Sequence, residues 1–163
     1  MLTRAEIARR IPHQGSMCLL ERVLSWGDDR IHCEADSHRD GANPLRAHGR
    51  LGIACGIEYA AQAMAVHGAL VAEAAATTGG AGSAAAARPR AGYLAGLRSV
   101  EFHADRLDDL AGPLAVHAER LLGDGNSMVY GFALEGGGRT LLRGRATVVL
   151  DAALTVPAGA PAP

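Results

Sequence analysis

Residues 53–76 have the sequence IACGIEYAAQAMAVHGALVAEAAA, the longest apolar-rich stretch of the chain. Its polar interruptions are Glu58, Gln62, His67 and Glu73. Alanine, leucine and methionine favour helices, and polar side chains are sparse, so the stretch predicts a long helix surrounded by protein. The four interruptions argue against a membrane span.

Patterns typical of strands occur both before and after this helix in the sequence. Residues 30–37 alternate apolar and polar side chains, which predicts a strand with one buried face. Glycine-rich turns between the later patterns predict hairpins. The six predicted strands cover residues 18–26, 30–37, 92–104, 114–122, 128–134 and 140–150. A capping-box pair, Thr3 and Glu6, predicts a short helix before them that ends near Arg10.

This order predicts an α+β fold in which a curved antiparallel sheet wraps around one long central helix. We expect a single domain over residues 1–151, with a flexible Gly/Ala/Ser-rich insertion at about 77–90 and a disordered, proline-containing tail at 152–163. One sheet of this size covers only one side of the helix. We therefore expect a second copy to cover the other side, giving a homodimer.

The composition excludes several classes of function. The 163 residues include 16 basic and 17 acidic side chains, for a net charge of −1, which argues against a nucleic-acid or anionic-membrane partner. All the basic residues are arginine, so Schiff-base chemistry on a lysine is excluded. Three widely spaced cysteines predict neither a disulfide nor a metal site, and the absence of nucleotide-binding motifs predicts no cofactor. The N-terminal residues lack the apolar run of a signal peptide, so we expect a cytoplasmic protein.

Glu58 is the first candidate for catalysis. At helical spacing its neighbours include Ala54 and Ala61, so a carboxyl group is placed in mostly apolar surroundings. Such a group is suited to proton exchange with a substrate, although a glutamate in a first helical turn is also favoured by the helix dipole alone. His48, followed by Gly49 in the preceding loop, is the candidate base, and an exposed loop histidine is the alternative interpretation.

Further candidates surround this pair. His38 competes with His48 for the role of base. Cys55 and Gly56 at the helix start are predicted to offer free backbone N–H groups that polarise a substrate carbonyl. His13 and Gln62 are predicted to contact the substrate, with a turn histidine packed over the sheet as the alternative for His13.

Two motifs resemble those of a known family. Residues 11–23, IPHQGSMCLLERV, are similar to the opening PHRxPxLLxDRV of FabZ-type 3-hydroxyacyl-[acyl carrier protein] dehydratases. Residues 56–63, GIEYAAQA, are similar to the LEAMAQ segment of the same hotdog-fold family, whose glutamate is catalytic. Together with residues 37–46, SHRDGANPLR, the chain looks closest to the ApeP-like branch, associated with aryl polyene biosynthesis. The resemblance covers about residues 10–150.

The resemblance implies a hydro-lyase of fatty-acid or aryl-polyene type biosynthesis that removes water from a 3-hydroxyacyl thioester carried by acyl carrier protein or CoA. It assigns the acid to Glu58. It aligns His48 only in part, because the family histidine stands fourteen positions before the glutamate and His48 stands ten before it. The alternatives are a hotdog acyl thioesterase, or a non-catalytic hotdog subunit that binds acyl carrier protein or forms a heterodimer with an active partner.

Overall fold

The structure is a computed structural model that describes residues 1–78, 92–123 and 126–150. From position 79 onward the predicted insertion at 77–90 lies outside the described residues, and so does the predicted tail at 152–163. The helices are α1 (Arg4–Ala8) and α2 (Gly56–Thr78). The strands are β1 (Leu2–Thr3), β2 (Arg22–Trp26), β3 (Arg30–Ala35), β4 (Gly92–Phe102), β5 (Leu114–Gly123), β6 (Ser127–Gly136) and β7 (Arg139–Leu150). Single 3-10 turns occupy Gly15–Met17, Ser37–Arg39 and Ile53–Cys55.

These strands form one antiparallel sheet in the order β1-β2-β3-β5-β6-β7-β4. Strands β5, β6 and β7 are successive neighbours, as the glycine-rich turns predict, whereas β4 crosses to the far edge and pairs with β7. Helix α2 packs against β3, β5 and β6 in the middle of the sheet. The predicted α+β hotdog arrangement is therefore confirmed.

The core lies between α2 and the inner face of the sheet. On the helix, Tyr59, Ala63 and Val66 are fully buried, and on the sheet Leu134 and Leu142 are fully buried opposite. Each large apolar side chain buried in this way contributes about 1.5–3 kcal/mol. This burial, rather than charge pairing, holds the helix in place.

One side of α2 remains only partly covered in a single chain. Ile57, Ala61 and Ala65 are half-buried, at the spacing of one helical face, and Ala72 further along is exposed. The sheet of a single chain thus covers only part of the circumference of the helix, as expected for one sheet of this size.

The two edges of the sheet differ. Strand β1 is two residues long and pairs with Arg22 and Val23 only, whereas β4 has eleven residues. Large apolar side chains on β4 are 38–48% exposed: Tyr93, Leu94, Leu97 and Phe102. Strand β4 is therefore a long apolar edge with one side unpaired among the described strands.

The predicted elements differ from the observed ones mainly at their ends. The stretch from Ile53 begins as a 3-10 turn, and the α-helix proper runs from Gly56 to Thr78. Strand β1 is absent from the prediction because two residues carry no measurable periodicity. The Thr3–Glu6 pair is confirmed as a helix start, since the Thr3 backbone N–H donates to the Glu6 carboxylate at 2.8 Å.

A buried histidine makes the stability of this core depend on pH. His67 is fully buried on α2, with Nε2 3.0 Å from the Gly27 carbonyl oxygen and Nδ1 2.9 Å from the Tyr130 hydroxyl. Nε2–H donates to the carbonyl, so Nδ1 accepts from the hydroxyl and the neutral ring is fully bonded. Burial lowers the pKa of His67 below its ordinary 6.5. The unfolded chain therefore takes up the proton first, and we expect His67 to contribute stability above pH 6.5 that is lost as the pH falls below it.

Urea unfolding at a series of pH values tests this expectation. The wild type should lose stability steadily below pH 6.5, and His67→Gln should show a shallower dependence over the same range, even though it is less stable at neutral pH. Parallel pH curves for the two proteins would show that His67 does not cause the loss. His32 and His38, whose pKa values burial also lowers, contribute to the remaining slope.

Candidate active site

The Glu58 carboxyl group lies at the boundary between core and solvent. Its position on the first turn of α2 leaves the side chain 32% exposed. Oxygen Oε1 lies 3.0 Å from Nε2 of His13 and 3.0 Å from Nε2 of Gln62. A carboxyl group that accepts from the Gln62 amide, lies against the His13 ring and stays open to solvent on one side can exchange a proton with a bound molecule.

Gln62 is fully buried one turn after Glu58. Besides its contact with Glu58, its amide nitrogen donates to the Met17 carbonyl oxygen at 2.8 Å, and its amide oxygen accepts from the Leu19 backbone N–H at 2.9 Å. Both N–H groups and the oxygen are therefore engaged by the protein. The predicted substrate contact of Gln62 is better described as a tie between α2 and the segment that precedes β2.

His13 belongs to that same segment. Its ring is 30% exposed, and Nδ1 is buried with no hydrogen-bond partner among the described residues. The sequence assigns His13 a contact with substrate, whereas the observed contact is with Glu58. The two family-like motifs, residues 11–23 and 56–63, thus meet at one carboxylate.

His48 lies apart from this group. It occupies a tight turn in which Ala47 and Arg50 exchange backbone hydrogen bonds of 3.0 and 3.1 Å. The φ angles are +52° at His48 and +73° at Gly49, as in a type I′ turn. The side chain is exposed, and within the described residues no ion pair joins it to Glu58.

Two ion-paired arginines anchor the turn beside His48. Arg46 contacts the Asp108 carboxylate at 2.8 Å, and Arg106 binds the same group through two nitrogens at 2.8 Å each. The Arg106 hydrogen bonds lower the pKa of Asp108. The position of His48 is therefore tied to the segment around Asp108 rather than to α2.

His38 does not take the place of His48. It is fully buried beside Arg39, which pairs with Asp36, and neither ring nitrogen has a hydrogen-bond partner among the described residues. Burial lowers the pKa of His38. A ring sealed in this way has no access to a molecule bound at Glu58.

The helix start requires a correction. The backbone N–H groups of Cys55 and Gly56, predicted to be free, donate to the carbonyl oxygens of Gly52 and Ile53. The reason is the 3-10 turn Ile53–Cys55, which uses these donors before the α-helix begins. Free N–H groups for a substrate carbonyl are therefore not available at these two positions.

Gly56 and Cys55 have packing contacts instead. A Cβ atom on Gly56 would overlap Cδ2 of Leu142, so the helix approaches the sheet closely here and a larger residue would have to displace that leucine side chain. The Cys55 thiol donates to the Leu45 carbonyl oxygen at 3.6 Å, and burial raises the pKa of the thiol. A protonated, hydrogen-bonded thiol is not an activated nucleophile.

Sequence reasoning missed a second polar group next to Glu58. The buried Tyr59 hydroxyl lies 2.9 Å from Oγ of Ser37 and 3.0 Å from Nδ2 of Asn43, and the Ser37 hydroxyl donates to the Leu19 carbonyl oxygen at 2.7 Å. Burial raises the pKa of Tyr59. These bonds connect the loop after β3, helix α2 and the segment before β2. A tyrosine directly after the candidate acid is the only sequence feature that points to them.

Apolar side chains of α2 and β4 differ in their exposure. Met64 is buried in the core, whereas Leu94 and Leu97 are 42% and 38% exposed on β4. A groove of about 660 Å³ lies elsewhere, on the outer face of the sheet, where the rings of His32 and His117 stack 4.2 Å apart. This stack is a second feature absent from the sequence prediction.

Metal and membrane features are not found in the described part of the chain. Across residues 1–78, 92–123 and 126–150, no group of three or more His, Cys, Asp or Glu side chains is arranged to hold a metal ion. Over the same residues, neither helix combines the length and hydropathy needed to span a bilayer. Cys18, Cys33 and Cys55 are all free thiols.

Comparison with known proteins identifies related sequences and structures. The model of the ApeP-like family, described as ApeP dehydratase, matches residues 5–156. The solved dehydratase heterocomplex ApeI:P from Xenorhabdus doucetiae includes a chain that is 26% identical, with a TM-score of 0.72 over 89% of this chain and 90% of that one. No match is found among curated proteins.

Thioesterases share the fold at lower identity. A thioesterase family protein from Silicibacter pomeroyi is 16% identical, with a TM-score of 0.60 over 90% of this chain and 93% of that one. A hypothetical thioesterase from Streptococcus pneumoniae, solved with coenzyme A, is 11% identical, with a TM-score of 0.54 over 80% and 84%. These likenesses support the fold alone.

Proposed function

This chain belongs to the ApeP-like family of dehydratase-like hotdog proteins, and on that basis we propose that it takes part in removing water from a 3-hydroxyacyl thioester. The observation that carries the proposal is the Glu58 carboxyl group, held at Oε1 by His13 and Gln62 and partly open to solvent. Its substrate would be carried by acyl carrier protein or by CoA.

In the proposed reaction a base removes a proton from C2 of the substrate. The C2–C3 double bond forms as the C3–O bond breaks, and Glu58 supplies the proton with which the hydroxyl leaves as water. One proton is removed and one is delivered, so no oxidant, metal or cofactor is required. Such general acid–base steps each contribute about 10²–10⁴-fold.

We assign the base to His48, acting across an assembly of two chains. Within one chain its exposed side chain has no ion pair to Glu58 among the described residues, so a contact would require a second chain or movement of the turn. A histidine is suited to the task because its ordinary pKa range is close to neutral.

Two surfaces support a second hotdog chain as partner. The half-buried face of α2 that carries Glu58 is left uncovered by the sheet, and the exposed apolar side chains of β4 lie along an open edge. A second copy would cover both, giving the expected homodimer. A different hotdog chain is the alternative, since the related ApeI:P structure is a heterocomplex.

Arginines before and within β4 are candidate contacts for an acidic carrier protein. Arg98 is exposed on β4, whereas Arg88 and Arg90 lie outside the described residues. We propose carrier-protein docking at this edge on the basis of Arg98 and the neighbouring sequence.

A non-catalytic role within a hotdog heterodimer is the second candidate. It is favoured by one observation, namely that Glu58 and His48 do not meet within the described chain. Such a subunit would hold the partner or the carrier protein and leave the chemistry to the partner's own site.

Incubation of the purified protein with 3-hydroxyacyl carrier protein and 3-hydroxyacyl-CoA, followed by mass spectrometry, tests the proposal. We expect the loss of one water from the acyl group. Release of free carrier thiol would instead identify a thioesterase. The protein would be identified as the non-catalytic subunit if it is inactive by itself, co-purifies with a second hotdog chain and shows the reaction only in the presence of that chain.

A further inference from the structure

We propose that His13 and Gln62 form a clamp on one oxygen of the Glu58 carboxyl group, so that the other oxygen, Oε2, carries the proton that meets the substrate. This inference rests on the proposed function and names positioning residues for it. The sequence assigns these two side chains to substrate contact, whereas the observed geometry directs both of them at Glu58.

Both side chains contact the same oxygen of the Glu58 carboxyl group. The donor nitrogens of His13 and Gln62 both lie 3.0 Å from Oε1. Among the described residues, Oε2 of Glu58 has no hydrogen bond or ion pair. An oxygen that already accepts two N–H groups is a poor place for a proton, so the acid form of Glu58 carries its proton on Oε2.

The protonation of the His13 ring follows from its surroundings. Nε2 lies 3.0 Å from the carboxylate oxygen, where a nitrogen that carries a proton is favoured, whereas Nδ1 is buried and has no partner among the described residues. With the proton on Nδ1 instead, the lone pair of Nε2 would face the carboxylate oxygen 3.0 Å away and the buried N–H group would be unpaired, which is costly. His13 therefore presents Nε2–H to Glu58 and has no open nitrogen for a substrate proton, which makes it a positioning residue.

The two donors are mechanically linked. Gln62 is held by the Met17 carbonyl oxygen and the Leu19 backbone N–H, at 2.8 and 2.9 Å, and both belong to the segment that carries His13. One segment thus supplies one donor directly and orients the other. This explains why the two family-like motifs, residues 11–23 and 56–63, occur together: the first holds the acid of the second.

Steady-state kinetics of two His13 variants test the clamp. His13→Leu removes the donor, and we expect kcat to fall about 10- to 100-fold with little change in KM, because the acid is misaligned rather than substrate binding lost. His13→Gln retains an N–H group and should recover most of the rate. His103→Leu is the matched control at an exposed histidine, and its kcat and KM should equal those of wild type. A kcat for His13→Leu within about twofold of wild type, or a raised KM with unchanged kcat, would overturn the proposal.

Nitrogen NMR of the histidine-labelled full chain tests the same clamp without turnover. We expect His13 to carry its proton on Nε2 with Nδ1 bare, and Glu58→Gln to shift the His13 signals more than those of any other histidine. A proton on Nδ1, or unchanged His13 signals in Glu58→Gln, would overturn the clamp. An inactive wild type with the expected NMR pattern would instead count against the proposed function and leave the hydrogen-bonded geometry intact.

Discussion

Glu58→Gln is expected to lower the rate of water loss from a 3-hydroxyacyl thioester at least about 100-fold, the usual cost of removing a general acid. The amide keeps the size of the side chain, and its oxygen can still accept the N–H groups of His13 and Gln62. It cannot release a proton to the leaving hydroxyl. The measurement is the single-turnover rate, followed by mass, for variant and wild type at equal concentration.

Glu73→Gln is the matched control for this variant. Glu73 lies on the same helix, and its exposed carboxylate pairs with Arg10 at 3.0 Å. A surface pair of this kind contributes at most about 1 kcal/mol, so the rate should stay near that of wild type. A near-native rate in Glu58→Gln, with both variants folded by circular dichroism, would remove Glu58 from the mechanism.

Gly56→Ala is expected to destabilise the fold by about 1–3 kcal/mol, the usual cost of overpacking a core. The added Cβ would overlap Cδ2 of Leu142 and lie 3.0 Å from Cδ2 of Leu134, and both leucines are fully buried. Alanine favours a helix by about 0.5–1 kcal/mol over glycine, which offsets only part of this cost. Urea unfolding measures the difference in the free energy of unfolding.

A double-mutant cycle with Leu142→Val identifies the source of this loss. The shorter side chain makes room at the contact, so Gly56→Ala should cost less in the Leu142→Val background than in wild type. Strictly additive losses would mean that the clash with Leu142 is not the cause. An increase in stability for Gly56→Ala alone would show that the helix can move away from the sheet at no cost.

The layout of the fold can be predicted from the sequence because burial of one face of a strand or helix produces a periodic spacing of apolar residues. Residues 30–35 alternate in burial as they alternate in polarity, and the apolar stretch from Ile53 forms one helix that packs against the sheet. The crossing of β4 to the edge beside β7 is a long-range pairing that no local pattern contains.

The site is predicted less completely than the fold. Glu58 is identified because a carboxylate is conspicuous in an apolar helix, and the chemistry of a carboxyl group is visible in the sequence. Its contact with His13 is not, since 45 positions separate the two residues and only the packing of the segment before β2 brings them together. The N–H groups of Cys55 and Gly56, expected to be free, are hydrogen-bonded in a 3-10 turn. The prediction failed because the start of a 3-10 turn and the start of an α-helix look alike in sequence.

The unequal edges of the sheet have a consequence for how copies of this chain associate. A filament that grows by strand pairing needs an open strand at both edges of the sheet. Here the edge formed by β1 has only two paired residues, and the adjacent strand β2 is irregularly paired. Only β4 presents a long, unpaired row of backbone groups among the described strands. When two chains pair through their β4 strands, each strand provides hydrogen-bond partners for the backbone groups of the other. We therefore expect assembly to stop at a closed pair instead of extending into a filament.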